Sequence, residues 1–276
     1  MPTENTELTQ MKDHTKAYMA GVLDGDGHLG IQKHGQYSPS IQVCGESKSL
    51  MEWIVLNFGG SIRKEKIKSG KDFYKWILYG KNSQKDFVEG ITPFVFIKRS
   101  QAEILQEFLN INRSDYDPEK RESYYLAIRK ARSLSSVETD MRNKLDNKLA
   151  CAYAAGLVDT DGHINLYTVP SGKSKGSIRT GIEIVNIYRP ILDELARQFG
   201  GHVRKRTEDG YKTRYQWFVT DMKSEEKLLL AMLPYMIVKR EKAENLLKHL
   251  RERLSLKIQP ELIGDYESVP VGTLKT

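Results

Sequence analysis

Apolar residues follow a helical spacing in some segments of the chain and a two-residue alternation in others. Residues 17–24 are small or apolar on every side of a helical turn, which is typical of a buried helix, and Thr15 stands where an N-cap is expected. After them the pattern changes, because Leu29 and Ile31 alternate with less apolar residues, as in a strand with one buried face. The pattern therefore predicts a buried helix that leads into a half-buried antiparallel sheet.

This succession of patterns occurs twice in the chain. Residues 17–31 match residues 152–166 at an offset of 135, and from residue 41 onward the match continues at an offset of 141. The change in offset is explained by residues 168–177, which are rich in Gly, Ser and Lys and predict a lengthened hairpin loop in the second copy. The further elements predicted in the first copy are a helix over 50–58, strands over 61–66 and 73–79, and helices over 83–89 and 99–110.

A duplicated unit of this kind determines the architecture. We expect an α+β fold with two αββαββα halves related by a pseudo-twofold axis, each with an antiparallel, saddle-shaped sheet, joined where the first helices of the two copies pack together. The N-terminal half should span residues 1–114 and the C-terminal half residues 148–276. Between them, charged positions at helical spacing predict a mostly helical connector over 115–147, and the residues after about Lys257 should form a loosely packed tail.

Composition and charge narrow the class of protein. The chain has 276 residues, 39% of them hydrophobic, which is enough for a buried core, and its net charge of +7 favours a polyanionic partner such as nucleic acid. No stretch approaches the roughly 20 apolar residues of a membrane span, and the first residues lack an apolar signal region. The two cysteines, Cys44 and Cys151, are too few for a disulfide framework. We expect a soluble, intracellular protein of the cytoplasm or an organelle matrix, without a membrane partner.

Two acidic residues stand at alternate positions near the end of each predicted first helix. The segments are MAGVLDGDG at residues 19–27 and AAGLVDTDG at residues 154–162. Their Gly and Ala residues allow two helix backbones to approach closely. The two helices are therefore expected to pack against each other and to bring their acidic ends to one seam.

The two acids of each segment should have different roles. Asp24 and Asp26 would point to roughly opposite sides of a continuous helix, so the neighbouring glycines lead us to expect that the helix ends between them. Asp24 and its counterpart Asp159 would then bond free backbone groups at the helix junction, as structural residues. Asp26 and Asp161 would lie side by side, where a divalent cation relieves their mutual repulsion.

Two other interpretations of this segment have to be weighed. Both acids of each motif could merely cap helices, although isolated caps have no reason to recur with matching flanks. Residues 25–30 also match G-x-G-x-x-G, but the dinucleotide-binding fingerprint needs a strand before it and a helix after it, the reverse of the order here. The paired arrangement favours a shared functional site.

Residues 19–27 and 154–162 resemble the LAGLIDADG signature at all nine positions, and with the downstream repeat the resemblance covers nearly the whole chain. The chain thus resembles the single-chain, two-motif type of the LAGLIDADG homing endonucleases. The resemblance implies a sequence-specific hydrolase that makes a double-strand break in a long asymmetric DNA site of roughly 20 base pairs, promotes intron homing, and acts as a monomer without an obligate protein partner. An RNA-binding intron maturase on the same fold is the alternative, and a transcriptional regulator would be expected to carry an added DNA-binding domain.

The resemblance also implies site residues and a cofactor. The metal ligands would be the carboxylates of Asp26 and Asp161 and the backbone carbonyls of Gly25 and Thr160. The metal would be Mg²⁺, for which Mn²⁺ substitutes, whereas Ca²⁺ should support binding without cleavage. The further catalytic residues would be Lys98, Lys239 and Asn186. Gly45 occupies the place of Asn186 in the first copy and departs from the family's Gln or Asn, which predicts unequal half-sites.

Base recognition should come from the outward faces of the strands, because a β-ribbon fits the major groove and meets base edges there. In the first half the outward positions are Gln32, His34, Gln42, Ser61, Arg63, Glu65 and Lys75. In the second half they are Asn165, Tyr167, Glu183, His202, Arg204, Arg206, Arg214 and Gln216. These sets differ although the apolar positions match, as recognition of an asymmetric site requires; the alternative is two ordinary solvated faces. His28 and His163, beside the acids, should contact phosphate or solvent.

Overall fold

One order of helices and strands appears twice in the chain. The computed structural model describes residues 12–66, 70–112, 117–132, 147–207 and 213–263. The first half consists of α1 (Asp13–Asp26), β1 (Gly27–His34), β2 (Gln36–Gly45), α2 (Lys48–Phe58), β3 (Ser61–Lys66), β4 (Asp72–Leu78), α3 (Lys81–Ile91), a 3₁₀ turn (Thr92–Phe94) and α4 (Arg99–Asn110). Helix α5 (Pro118–Ala131) follows. The second half consists of α6 (Asn147–Asp161), β5 (Gly162–Thr168), β6 (Ile178–Asn186), α7 (Arg189–Phe199), β7 (His202–Arg206), β8 (Arg214–Val219), α8 (Met222–Met232) and α9 (Arg240–Ile263).

Each half is built on a four-stranded antiparallel sheet. The strand orders are β1-β2-β4-β3 and β5-β6-β8-β7, so the two sheets have the same topology. Trp76 and Trp217 occupy the same place in them, are fully buried, and donate their indole N–H groups to the carbonyls of Gly59 and Gly200 at 2.7 and 2.8 Å. The predicted α+β fold of two equivalent halves is confirmed.

Helices α1 and α6 touch backbone to backbone. A Cβ atom on Gly21 would lie 2.1 Å from the carbonyl oxygen of Tyr153, and one on Gly156 would lie 2.1 Å from that of Tyr18. No side chain fits at either position without moving the opposite backbone. The predicted close packing of the two motif helices is therefore observed, and their small residues are its cause.

The first acid of each motif ties the two halves together. Asp24 accepts hydrogen bonds from the backbone N–H groups of residues 96–98 at 2.8 to 3.0 Å, and from the hydroxyl of Tyr153 in the other half at 2.8 Å. Asp159 does the same with residues 237–239 at 2.7 to 3.1 Å and with Tyr18 at 2.7 Å. The structural role predicted for Asp24 and Asp159 is observed, with backbone groups just before α4 and α9 as the partners.

Two predicted ends of the first helix are wrong. Helix α1 begins at Asp13 after Lys12, so Thr15 is inside it and not its N-cap. It also continues through Asp26 to its C-cap at Gly27, instead of ending between the two acids. Asp24 and Asp26 point to different sides of this continuous helix, because positions two residues apart differ by about 200° around an α-helix. Asp24 is therefore directed into the core. Glycine at position 25 is explained by space, since a Cβ there would lie 2.1 Å from Oγ1 of Thr160.

The elements between and after the halves are described in part. The long loop of the second copy lies where the composition predicts it, between the end of β5 at Thr168 and the start of β6 at Ile178. Of the predicted connector over 115–147, residues 115–116 and 133–146 lie outside the described residues, and the half boundaries stay predictions. Helix α9 extends to Ile263, so the backbone is helical beyond Lys257, and residues 264–276 lie outside the described residues. No helix in the described ranges is long and apolar enough to cross a membrane.

A buried carboxyl in the second half replaces a buried amide in the first. Gln84 donates from Nε2 to the carbonyl of Leu78 at 2.8 Å. Its counterpart, Glu225, is fully buried and accepts from Oγ1 of Thr180 at 3.2 Å, while its Oε2 has no hydrogen-bond partner in the described part of the chain. Burial raises the pKa of Glu225 to about 7. The folded protein therefore retains a proton on Glu225 that the unfolded chain has released at neutral pH.

Glu225→Gln is expected to stabilise the protein at alkaline pH. Because the folded pKa of about 7 lies above the ordinary value of 4.5, the free energy of unfolding of the wild type falls between pH 4.5 and 7 and stays reduced above pH 7. The amide carries no charge, so the variant should gain up to about 3 kcal/mol at pH 8 and little at pH 4.5. Urea unfolding at both pH values measures this. A gain that is the same at both would show that Glu225 does not titrate in the fold.

Candidate active site

Asp26 and Asp161 end the two packed motif helices. The helix ends adjoin each other, because Gly25 faces Thr160 at a separation that admits no side chain on Gly25. Burial raises the pKa of both carboxyls, and the negative charge of Asp161 raises that of Asp26 further. The structure thus brings the second acid of each motif to one seam, where Asp26 is exposed and Asp161 is half-buried.

The carboxylates have different neighbours on the second strand of each half. Asn186 donates from Nδ2 to Oδ2 of Asp161 at 3.1 Å, and its Oδ1 accepts from the backbone N–H of Tyr188 at 2.8 Å. Gly45 is its counterpart, and a Cβ there would lie 3.9 Å from Oδ2 of Asp26. Within the described ranges Asp26 has no hydrogen-bond donor. The inequality predicted from Gly45 is therefore present in the geometry.

Each predicted catalytic lysine covers the end of its own motif helix. Lys98 donates from Nζ to the carbonyls of residues 23–25 at 2.5 to 3.0 Å, and Lys239 donates to those of residues 158–160 at 2.6 to 3.1 Å. Burial lowers the pKa of both ammonium groups, and neighbouring carboxylates, Asp26 and Asp161 among them, oppose that change. Two cations are thus held at the seam by the last carbonyls of α1 and α6, the negative ends of the helix dipoles.

The donor atoms at the seam fit a hard divalent cation. Two carboxylates and the carbonyls of Gly25 and Thr160 offer only oxygen, which Mg²⁺ prefers, and no donor among the described residues competes for the carboxylate of Asp26. The described residues contain no group of three or more His, Cys, Asp and Glu side chains that could enclose a metal. A cation at the seam would therefore complete its coordination with water or with a ligand's oxygens.

The strand register places all the predicted DNA-contact residues on the sheet faces opposite the core. In the first sheet Arg63 pairs with Lys75, and in the second Arg204 pairs with Gln216. Arg63 donates to the hydroxyl of Tyr79 at 2.7 Å and lies over its ring. These faces, called the outer faces below, carry the side chains that a groove of DNA would meet.

Gln216 has a different environment from the other outer-face residues. It is only 2% exposed, accepts from Nε of Arg204 at 2.8 Å and donates to Glu183. Arg204 in turn lies over the ring of Phe218, 5.0 Å from its centroid. Gln216 therefore holds the charged side chains of Arg204 and Glu183 in place on the outer face. Alternation along the strand predicts which face Gln216 is on, but not that its side chain is buried.

One residue of the outer face was missed in the sequence. Arg132, at the C-terminal end of α5, donates to Nε2 of His28 at 3.3 Å. Burial, Arg132 and Lys98 together lower the pKa of His28. The available signal was Gly30, because a glycine inside a strand often marks a close approach, and a Cβ there would lie 2.3 Å from the guanidinium of Arg132.

Comparison with known sequences gives a distant relationship. No protein-family model matches the chain. Over 205 residues it is 23% identical to the intron-encoded RNA maturase bI4 of Saccharomyces cerevisiae, in an alignment that covers 74% of this chain and 27% of the maturase. The chain thus spans about a quarter of the length of that curated relative.

Comparison with solved structures is decisive for the fold. The LAGLIDADG homing endonuclease I-GzeII in complex with its DNA target has a TM-score of 0.65 at 17% identity, covering 88% of this chain and 91% of that one. The LAGLIDADG meganuclease I-AabMI bound to uncleaved DNA has a TM-score of 0.57 at 15% identity, with 89% and 92% covered. The chain has the LAGLIDADG homing endonuclease fold.

A third structure of this kind involves a divalent cation. I-SmaMI, bound to an uncleaved DNA target in the presence of calcium ions, has a TM-score of 0.60 at 14% identity, with 88% of this chain and 92% of that one covered. Within the LAGLIDADG fold of the present chain, α1 and α6 are the motif helices. Asp26 and Asp161 are the last residues of these helices.

Proposed function

We propose that this chain is a sequence-specific DNA endonuclease that makes a double-strand break in an asymmetric site of roughly 20 base pairs. The observation that carries the proposal is the convergence of Asp26 and Asp161 at one seam between two outer faces with different polar side chains. Two acids serve two strands, and two unlike faces serve two unlike half-sites. As both halves lie in one chain, we expect it to act as a monomer and to promote intron homing.

The metal ligands we propose are Asp26, Asp161 and the carbonyls of Gly25 and Thr160. Mg²⁺ is the proposed cofactor, with Mn²⁺ as a substitute and Ca²⁺ supporting binding alone. When bound, the cation supplies an activated water and stabilises charge on the entering and leaving oxygens of the phosphodiester.

The chain's own residues position and balance charge around that chemistry. The ammonium groups of Lys98 and Lys239, held by the last helix carbonyls, favour the ionised carboxylates and offer positive charge to phosphate oxygens. Asn186 fixes the orientation of Asp161 and can hold a water molecule beside it. Gly45 leaves that place beside Asp26 to solvent, so we expect the two strands to be cut at unequal rates.

Asp24 and Asp159 take no part in the proposed chemistry. Their hydrogen-bonding capacity is used by backbone N–H groups and by the tyrosine of the opposite half. They hold the motif helices in the register that brings Asp26 and Asp161 together. The four acids of the two motifs thus divide into a structural pair and a catalytic pair.

The proposal is tested with a plasmid library that carries short fragments of the genome in which the reading frame lies, together with the sequence that joins its two flanks when the reading frame is absent. Incubation with the purified chain and Mg²⁺, followed by sequencing of the linearised molecules, should recover one related set of sites, each cut on both strands. With Ca²⁺ the same sites should be retained by the protein but stay intact. A library that stays uncut in Mg²⁺ and in Mn²⁺ would contradict the endonuclease proposal.

The second candidate function is an intron maturase, and the similarity to the maturase bI4 favours it. The test is a competition for the chain between duplex DNA from the library and a transcript of the intron in which the reading frame lies. Preferential binding of the transcript, with no cleavage of the library, would favour the maturase over the endonuclease.

Arg63 and Arg204 are expected to read bases, because their neighbours hold both guanidinium groups in place and little entropy is lost on contact. Arg204→Ala should cost about 1 to 3 kcal/mol of binding at one position of one half-site and relax the base preference there. Affinities for a panel of single-base variants of the site measure this. An equal loss on every sequence would instead identify Arg204 as a phosphate contact.

A further inference from the structure

The connector helix α5 packs against the first half. Glu122 forms an ion pair with Lys33 of β1 at 2.7 Å, and the ring of Tyr125 lies 5.9 Å from that of Tyr37 in β2. Ile128, in the last turns of the helix, is fully buried. These contacts fix the position of the C-terminal end of α5 relative to β1.

That end places a guanidinium on the outer face of the first sheet. Arg132 is exposed, and its Nη2 donates to Nε2 of His28, which pairs with Gln42 across the outer face. The guanidinium also lies directly over Gly30, since a Cβ at that position would be 2.3 Å from Nη2. Only glycine leaves this place open, and the guanidinium of Arg132 occupies it.

The place of the Arg132 guanidinium over Gly30 is close to the first motif. Within the described residues it is not repeated in the second half. His28 follows Asp26 by two residues. In the second half the counterpart of Gly30 is Asn165, which carries a side chain where Gly30 has none. The connector occurs once in the chain, and its described helix α5 packs against β1, β2 and α4 of the first half.

We propose that Arg132 binds a DNA phosphate beside the first motif and that the connector supplies this cation to one half only. A guanidinium has five N–H donors, and among the described residues His28 engages one of those of Arg132, which leaves donors for a phosphate. The contact with His28 restrains the side chain and reduces the entropy that binding would cost. The inference rests on the proposed function in one respect, namely that the outer faces bind a nucleic-acid duplex.

The test is the salt dependence of binding to a 30-base-pair duplex of arbitrary sequence, by fluorescence anisotropy in Ca²⁺, so that it does not depend on cleavage. Each phosphate contact contributes about 0.9 to the slope of log K against log salt concentration. Arg132→Ala should reduce the slope by about that amount, whereas Arg132→Lys should retain most of it. Gly30→Ala should also reduce the slope, because it displaces the guanidinium without removing its charge.

Arg129→Ala is the matched control. Arg129 lies one turn earlier on the same helix, but its guanidinium stacks on Tyr125 and donates to the tyrosine hydroxyl at 3.0 Å. The control removes the same charge and should leave the slope unchanged. The melting temperatures of all the variants should equal that of the wild type.

Two results would overturn the inference. A slope for Arg132→Ala equal to that of the wild type, or a reduction equal to that of Arg129→Ala, would show that Arg132 makes no specific phosphate contact, while the endonuclease proposal would stand. A wild-type chain that binds no duplex DNA at all would contradict both proposals together.

Discussion

Asp26→Asn is expected to abolish cleavage of both strands and to leave folding and DNA binding intact, and Asp161→Asn should do the same. The amide keeps the size of the side chain but removes the charge that holds a divalent cation. Losing several kcal/mol of charge stabilisation corresponds to a rate reduction on the order of 10³-fold. Because the two acids share one seam, either variant should impair both strands. Single-turnover cleavage of the recovered site in Mg²⁺, with binding measured in Ca²⁺, gives both quantities.

Two control variants separate catalysis from structure. Asp193→Asn removes an exposed acid whose partner in the described part of the chain is Arg189 on its own helix, and the variant should cleave normally. Asp24→Asn should lower the free energy of unfolding, because Asp24 accepts three backbone N–H groups and a tyrosine hydroxyl. If Asp26→Asn were instead destabilised like Asp24→Asn and still cut both strands, Asp26 would be a helix cap.

Gly21→Ala is expected to destabilise the protein strongly. The added Cβ would lie 2.1 Å from a carbonyl oxygen and 2.8 Å from the backbone nitrogen of Leu157, so the helices α1 and α6 would have to separate along their whole contact. Such overpacking costs about 3 kcal/mol or more, because a backbone, unlike a flexible side chain, cannot give way locally. Separation would also break the paired tyrosine–aspartate contacts. Urea unfolding of the wild type and the variant measures the loss.

Gly90→Ala is the control for that prediction. Gly90 is also inside a helix, but apart from its chain neighbours and its own helix backbone no described atom lies within 4 Å of the place where its Cβ would be. Alanine there should be neutral or stabilising by about 0.5 to 1 kcal/mol, from helix propensity. If Gly21→Ala were as stable as Gly90→Ala, the motif helices would not be in backbone contact in solution.

The repeat explains why most of the fold and the pair of acids could be predicted. Matching Trp76 with Trp217 and Asp26 with Asp161 at two constant offsets requires the same elements in the same order. Two equal helices with small residues then have to meet at a twofold seam. The different surroundings of the two acids could be predicted for the same reason, since the repeat pairs Gly45 with Asn186.

What could not be predicted depends on space rather than on periodicity. The glycine at position 25 suggests a helix end. A sequence alone does not show whether a glycine is needed for its backbone angles or for the space that a close neighbour such as Thr160 occupies. The contacts of Lys98 with helix carbonyls depend on its exact depth, which a motif does not specify. Arg132 comes from a segment without a repeat partner, so no comparison between halves could point to it.

The central claim is that Asp26 and Asp161 together form a divalent-metal site at the seam of the two motif helices. Electron paramagnetic resonance measures it directly, because free Mn²⁺ gives a signal that bound Mn²⁺ largely loses. Mn²⁺ is titrated into the complex of the chain with its recovered duplex, at a temperature at which no cleavage occurs. The wild-type complex should remove Mn²⁺ from solution, and the complex of the Asp26→Asn, Asp161→Asn double variant should not. Equal loss of the free signal in both complexes would place the metal elsewhere and contradict the account.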